Sequence, residues 1–131
     1  TVVDRSAGAL IVRALELGVG VMNAAVLGGG ILADRTGAQT SYGYRPASAT
    51  TLTAIAEMRH LCDRWGTDLA SVAVRFSTRD ERIASTIIGI SKVARLQSTM
   101  DAATLDLPEE FWLDLESLVP GPEHWLDARP T

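Results

Sequence analysis

A chain of 131 residues that is 47% hydrophobic can bury a single core, which excludes a disordered segment. Its net charge of -4, with Lys and Arg scattered along the chain, excludes the basic footprint of a nucleic-acid partner or an anionic membrane surface. No apolar run reaches the roughly 20 residues of a membrane span, no secretory leader pattern is read in it, and the single cysteine, Cys62, permits no internal disulfide, so a buried thiol and a cytoplasmic setting are expected. The opening residues from Thr1 read as the middle of a fold, as in a truncated or processed product.

Val2 and Val3 read as the end of a short buried strand, with Ser6 as N-cap of a helix whose Leu10, Ile11, Ala14 and Leu15 share one face. Gly18 stops that helix. The uncharged run from Val19 to Ala25 then predicts a strand covered on both faces, as in a parallel sheet. From Val26 to Thr50 the chain is rich in Gly, Ala, Ser and Thr and reads as a long functional loop. Thr50 or Thr51 caps a helix carrying Leu52, Ile55, Ala56 and Arg59, which Gly66 closes. Asp68 caps the next helix, with Leu69, Val72, Ala73 and Phe76 as its stripe. A second buried strand is expected from Ala84 to Ile90, with Ser91 capping a helix that turns Val93, Leu96 and Met100 to one side. Pro108 opens a last helix with Phe111, Leu115 and Leu118 on one face, and a Pro/Gly-rich tail runs from Pro120 to the end at 131. This alternation predicts an α/β fold with parallel strands, and strands so few leave Ile87 and Ile88 on open edges.

Two stretches have the composition of ligand sites. Leu27 to Leu32 (LGGGIL) lies at the carboxyl end of an expected strand, where glycines let backbone N–H groups approach a pyrophosphate, although a flexible turn has the same composition. Gly89, Ile90, Ser91, Lys92 and Arg95 form a strand-to-helix junction at which free N–H groups, a helix dipole and two cations converge; the same cations also suit a plain solvated helix. The Gly18-x-Gly20-x-x-Asn23 spacing lacks a third glycine and precedes a strand, so it is not a dinucleotide fingerprint. His60 and His124 have no metal-ligand spacing or triad partner and read as surface residues, while Tyr42 and Tyr44 read as loop tyrosines packed on the body of the protein.

Three runs in order, GVGVMNAAVLGGGIL (Gly18 to Leu32), DLASVAVRFSTRDERIASTIIGISK (Asp68 to Lys92) and LPEEFWLDLESL (Leu107 to Leu118), resemble aldo-keto reductases, most closely their sugar and pyridoxal dehydrogenase-like members. The resemblance implies a (β/α)8 TIM barrel of about 250 residues. This chain would then be its C-terminal portion: Val2 and Val3 in strand six, Val19 to Ala25 in strand seven, Ala84 to Ile90 in strand eight, paired helices from Thr51 to Thr78, and an appended helix from Pro108. It also implies that the loop after strand seven wraps a cofactor pyrophosphate through Ala25, Leu27, Gly28 and Gly30, with Val26 where proline is usual. Gly89, Ile90, Ser91, Lys92 and Arg95 would hold the adenosine end, Arg95 lying on the adenine or its phosphate. Ser98 and Thr99 stand where many members carry Glu and Asn, and Ser91 where NADP-preferring relatives often carry Arg, so NAD and NADP are both open. The family's catalytic Asp, Tyr, Lys and His come from earlier strands and none maps here. The resemblance thus implies the cofactor-binding part of an oxidoreductase that exchanges hydride with a carbonyl or alcohol, such as a sugar or aldehyde. The alternatives are a non-catalytic half barrel that dimerises through its open edges, and a domain binding another phosphate-bearing ligand.

Overall fold

In the computed structural model, which describes residues 1–127, the elements follow as α1 (Gly8–Glu16), β1 (Met22–Asn23), a 3-10 segment (Gly28–Ala33), β2 (Ser41–Tyr42), β3 (Arg45–Pro46), α2 (Ala49–Arg64), α3 (Leu69–Thr78), β4 (Ser85–Thr86), α4 (Ala94–Ala103), α5 (Glu109–Ser117) and a 3-10 turn (Pro122–His124). Helical spacing puts Ile55, Met58, Leu61 and Cys62 on one face of α2, Leu69, Val72 and Ala73 on one face of α3, and Phe111 and Leu115 on α5, and these faces close on one another. Val2, Val3, Ile31, Leu32 and Tyr42 complete this core. The buried stripe of α2 is rotated from the expected one: Ala56 is exposed, and Arg59 donates to the Ile31 carbonyl at 2.8 Å.

Trp112 joins the core although it lies off the expected face of α5. Its ring packs edge-on to Phe111 at 5.3 Å, its indole N–H donates to the Leu107 carbonyl at 3.2 Å, and the Arg79 guanidinium covers it at 4.2 Å. An amphipathic ring can thus be buried with its polar atom satisfied.

Chain punctuation is partly as expected. Asp68 caps α3 by accepting from the Ser71 N–H at 3.0 Å. Gly66 closes α2, with the Thr67 N–H bonded to the Cys62 carbonyl at 3.0 Å and its own N–H to that of Asp63 at 3.2 Å, a left-handed helix ending. The cap of α2 is Ser48 rather than Thr50 or Thr51, because Ser48 is the residue with extended backbone whose hydroxyl reaches the Thr51 N–H at 3.1 Å. Ser6 does not cap α1: Ala7 occupies that position, and the Ser6 N–H instead donates to Asp4. Ser91 does not cap α4, whose first turn follows Val93. Val2 and Val3 are buried but lie in a turn, not a strand.

The two expected strands do pair in parallel, Met22 with Ser85 and Asn23 with Thr86, but each is only two residues long and neither is buried. A parallel strand is sealed only when layers cover both its faces, and here Met22 is 68% exposed. The apolar face expected on α1 is likewise open, with Leu10 71% exposed, and so are Val93, just before α4, and Leu96 and Met100 on it. The long segment from 26 to 50 is not a bare loop: it holds the 3-10 segment and an antiparallel hairpin in which Ser41 faces Pro46 and Tyr42 faces Arg45. The tail is folded back as far as its described residues reach, with the Trp125 indole N–H on the Pro120 carbonyl at 2.9 Å; residues 128–131 lie outside the described residues. Among the described residues no helix is long and apolar enough to cross a membrane.

Phe111 is fully buried at the meeting point of α2 and α5, so Phe111→Ala is expected to lower unfolding free energy by about 3–5 kcal/mol in urea denaturation. Cys62 is also fully buried, and burial, aided by the charges of Asp68 and Asp63, pushes its thiol up to about 12. A thiol-directed reagent should therefore label Cys62 only at the rate of unfolding; rapid labelling of the folded chain would contradict this packing.

Candidate functional site

α4 lies along α3, pinned by the Thr78 hydroxyl and the Arg75 guanidinium, which donate to the Ala103 carbonyl at 2.9 and 3.1 Å. This packing leaves a cavity of about 340 Å3 between the end of β4, the start of α4 and the flank of α3. Four of the sequence-derived residues, Leu27, Gly89, Ile90 and Arg95, line it together, as do Ser98 and Thr99. Val74, Ile88 and Ala102 add apolar wall, and Arg35 and Ser71 add polar groups that sequence reasoning missed. Its volume falls at the lower end of the range of about 300–1,000 Å3 usual for small-molecule sites.

The donor chemistry of this cavity suits an anion attached to a flat ring. A Cβ on Gly89 would meet open space, and the backbone N–H groups of Gly89 and Ile90 have no backbone acceptor among the described residues. Arg95 and Arg35 bring guanidinium groups, partly offset by Asp68, whose carboxylate lies 4.0 Å from Arg35. Leu27, Ile88 and Ile90 supply the apolar surface that a ring needs.

Ala25 and Gly28 line a different cavity, of about 230 Å3, together with Gly29, the hairpin turn and the tail residues Leu126 and Asp127. Gly30, Ser91 and Lys92 line neither cavity. Ala25 and Tyr44 are the non-glycine residues held in the left-handed region among the described residues, at φ 56° and 65°. Gly28 is buried, and a Cβ there would stand 2.6 Å from the Tyr42 ring, so packing alone demands glycine at that position.

Beyond the glycines the segment is held by Asp34. One oxygen of its carboxylate accepts from the Thr36 hydroxyl at 2.6 Å and the Thr36 N–H at 2.8 Å, and the other from the Gln39 N–H at 2.7 Å. The Thr36 hydroxyl, then the Gln39 and Thr36 amides, hold this carboxyl down to about 2. The Asp-x-Thr pattern was the available sequence signal for such a turn.

Of the two loop tyrosines, Tyr42 packs into the core and Tyr44 does not, being 90% exposed. Burial pushes the Tyr42 phenol up to about 12, and its hydroxyl is bonded to the Thr1 hydroxyl. That is the wrong direction for proton donation near neutral pH. The sequence has one lysine, Lys92, and it lines neither Tyr42's cavity nor the larger one. Among the described residues no group of three or more His, Cys, Asp or Glu is placed to hold a metal ion.

A parallel strand pair with glycine-rich and cationic segments at its carboxyl ends is the arrangement of a (β/α) protein that takes its ligand there. The aldo/keto reductase family model matches residues 3–120, and the chain belongs to that family. Over 104 residues it is 28% identical to pyridoxal 4-dehydrogenase of Microbacterium luteolum, a match covering 79% of this chain and 30% of that protein. The chain thus spans well under half the length of this relative.

Asp34 provides a pH test. Its folded pKa of about 2 lies below that of an unfolded aspartate, about 3.9, so the hold on Thr36 and Gln39 is fully present above roughly pH 4 and is lost as pH falls toward about 2. Relative to its intrinsic rate, exchange of the Gln39 amide should accelerate as pH falls across that window, and in Asp34→Ala it should be fast by the same measure at every pH.

Proposed function

We infer that this chain is the C-terminal, cofactor-binding part of an NAD- or NADP-dependent aldo-keto reductase, an oxidoreductase that moves hydride between nicotinamide and a carbonyl or alcohol. The observation that carries this reading is the cavity at the β4–α4 junction, where Leu27, Gly89, Ile90 and Arg95 meet the Ser98 and Thr99 hydroxyls. The nicotinamide group, when bound, supplies or accepts the hydride. The chain's own residues grip it. Arg95 and the amides of Gly89 and Ile90 hold a phosphate, Ser98 and Thr99 offer hydroxyls to ribose or phosphate, and Leu27, Ile88 and Ile90 cover a ring. Proton transfer falls to groups outside this chain, because the Tyr42 phenol is buried, engaged and raised to about 12. By analogy with the pyridoxal 4-dehydrogenase relative, a pyridoxal-like aldehyde joins sugars and simple aldehydes as the substrate class.

A second reading is favoured by the uncovered apolar faces of α1, β1 and α4. In it the chain is a half barrel without catalysis that closes by pairing with a second copy. A chain that stays strictly monomeric across a wide concentration range in sedimentation would exclude it.

The leading reading is tested by calorimetric titration with NADH and, separately, NADPH, repeated with Arg95→Ala. Saturable binding is expected, weakened at least about tenfold in the variant, the scale of a hydrogen bond to a charged partner. Absence of binding to either cofactor sinks the reading for the isolated chain.

A further inference from the structure

Arg35 and Asp68 line the larger cavity together with Arg95, and they form a pair that is not closed. The Arg35 guanidinium stands 4.0 Å from Asp68 Oδ2, beyond hydrogen-bond length, and its side chain is 82% exposed. No hydrogen bond from that guanidinium is present among the described residues, so its donors are available to an anion. Asp68 is held more firmly. Its two oxygens accept from the Ser71 N–H and the Ser71 hydroxyl, each at 3.0 Å, which fixes the carboxylate on the first turn of α3 and still leaves lone pairs on both oxygens.

The backbone around Arg35 is fixed as well, because the Asp34 carboxylate before it grips Thr36 and Gln39 after it. Arg35 and Asp68 also line a neighbouring cavity of about 330 Å3, so the pair stands between two open spaces and the guanidinium has room to turn from the carboxylate to a ligand. Arg95 with the Gly89 and Ile90 amides offers one place for an anion, and Arg35 offers a second with a carboxylate beside it. The neighbouring carboxylate narrows what that second anion can be. Another phosphate of a diphosphate would face Asp68 with like charge and bring no donor to it. A ribose with a phosphate on one carbon and a hydroxyl on the next matches both groups, the phosphate accepting from Arg35 and the hydroxyl donating to Asp68.

We propose that Arg35 and Asp68 read the phosphorylated ribose of NADP, Arg35 taking the 2′-phosphate and Asp68 the adjacent 3′-hydroxyl, and that the site therefore prefers NADP to NAD. NAD carries hydroxyls at both positions, so Asp68 is served equally by either cofactor and Arg35 gains a charged partner only from NADP. A guanidinium grips a phosphate through two parallel charge-assisted hydrogen bonds, and Arg35 thus sets the preference. Asp68 orients the ribose while its charge limits that preference. The proposal rests on the cofactor reading above and adds the choice between the two cofactors.

Calorimetric titration of the full chain with adenosine 2′,5′-bisphosphate and with 5′-AMP, which differ only in the 2′-phosphate, tests it, and the same margin is read between NADPH and NADH. The wild-type chain is expected to bind the 2′-phosphorylated member of each pair at least about tenfold more tightly, the scale of a hydrogen bond to a charged partner. Arg35→Ala, at an exposed position, should erase that margin and leave 5′-AMP binding as it was; Arg35→Lys should restore part of it. Asp68→Asn keeps the cap of α3 and should widen the margin by removing negative charge beside the phosphate. A narrower margin in Asp68→Asn overturns the part given to Asp68. Equal wild-type affinities within both pairs overturn the proposal and leave the cofactor reading standing. So does a loss in Arg35→Ala shared equally by both members, which would put Arg35 on a phosphate that the two cofactors have in common. Binding of none of the four compounds sinks the cofactor reading and this proposal with it.

Discussion

Burial of Ile31 and Leu32 among α2, α3 and α5 is the constraint on which the remainder of this structure depends. Both side chains are fully sealed, and the Ile31 carbonyl is held by Arg59 of α2. They follow directly on three glycines that have little hold of their own, so the core fixes a segment whose local sequence favours no single conformation. Once Ile31 and Leu32 are anchored, Gly28 is pressed on Tyr42, the hairpin is placed over the glycine segment, and Leu27 is turned toward the cavity beside α4.

The candidate site inherits its chemistry from the same packing. α3 holds α4 through Arg75 and Thr78, and that contact sets the distance between the apolar wall at Val74 and the hydroxyls of Ser98 and Thr99. The glycine segment and the β4–α4 junction, separated by some sixty residues of chain, flank neighbouring cavities because β1 and β4 pair in parallel and end on the same side.

The open faces are as informative as the closed ones. α1 is amphipathic, yet none of its residues is buried, and β1, which follows it, is two residues long. Among the described residues nothing packs over these apolar side chains, which sets them apart from the sealed faces of α2, α3 and α5.

By itself the sequence determined the helices α2, α3 and α5, the Asp68 cap, the Gly66 ending, the burial of Cys62 and the family. These rest on spacing, capping and composition, which act over a few residues and need no distant partner. Tertiary structure alone decided the rest. Val19 to Ala25 and Ala84 to Ile90 look like buried strands because they are apolar, but apolar residues are buried only where a covering layer exists, and α1 and α4 show the same gap. Ser48 displaced Thr50 and Thr51 as a cap because backbone conformation chose among three neighbouring hydroxyls. Nor does any local pattern reveal that Gly28 is pressed on Tyr42, that Arg35 reaches the cavity of Arg95, or that Asp4 binds Leu126. Those contacts join residues far apart in the chain, and only the closed core brings them within reach.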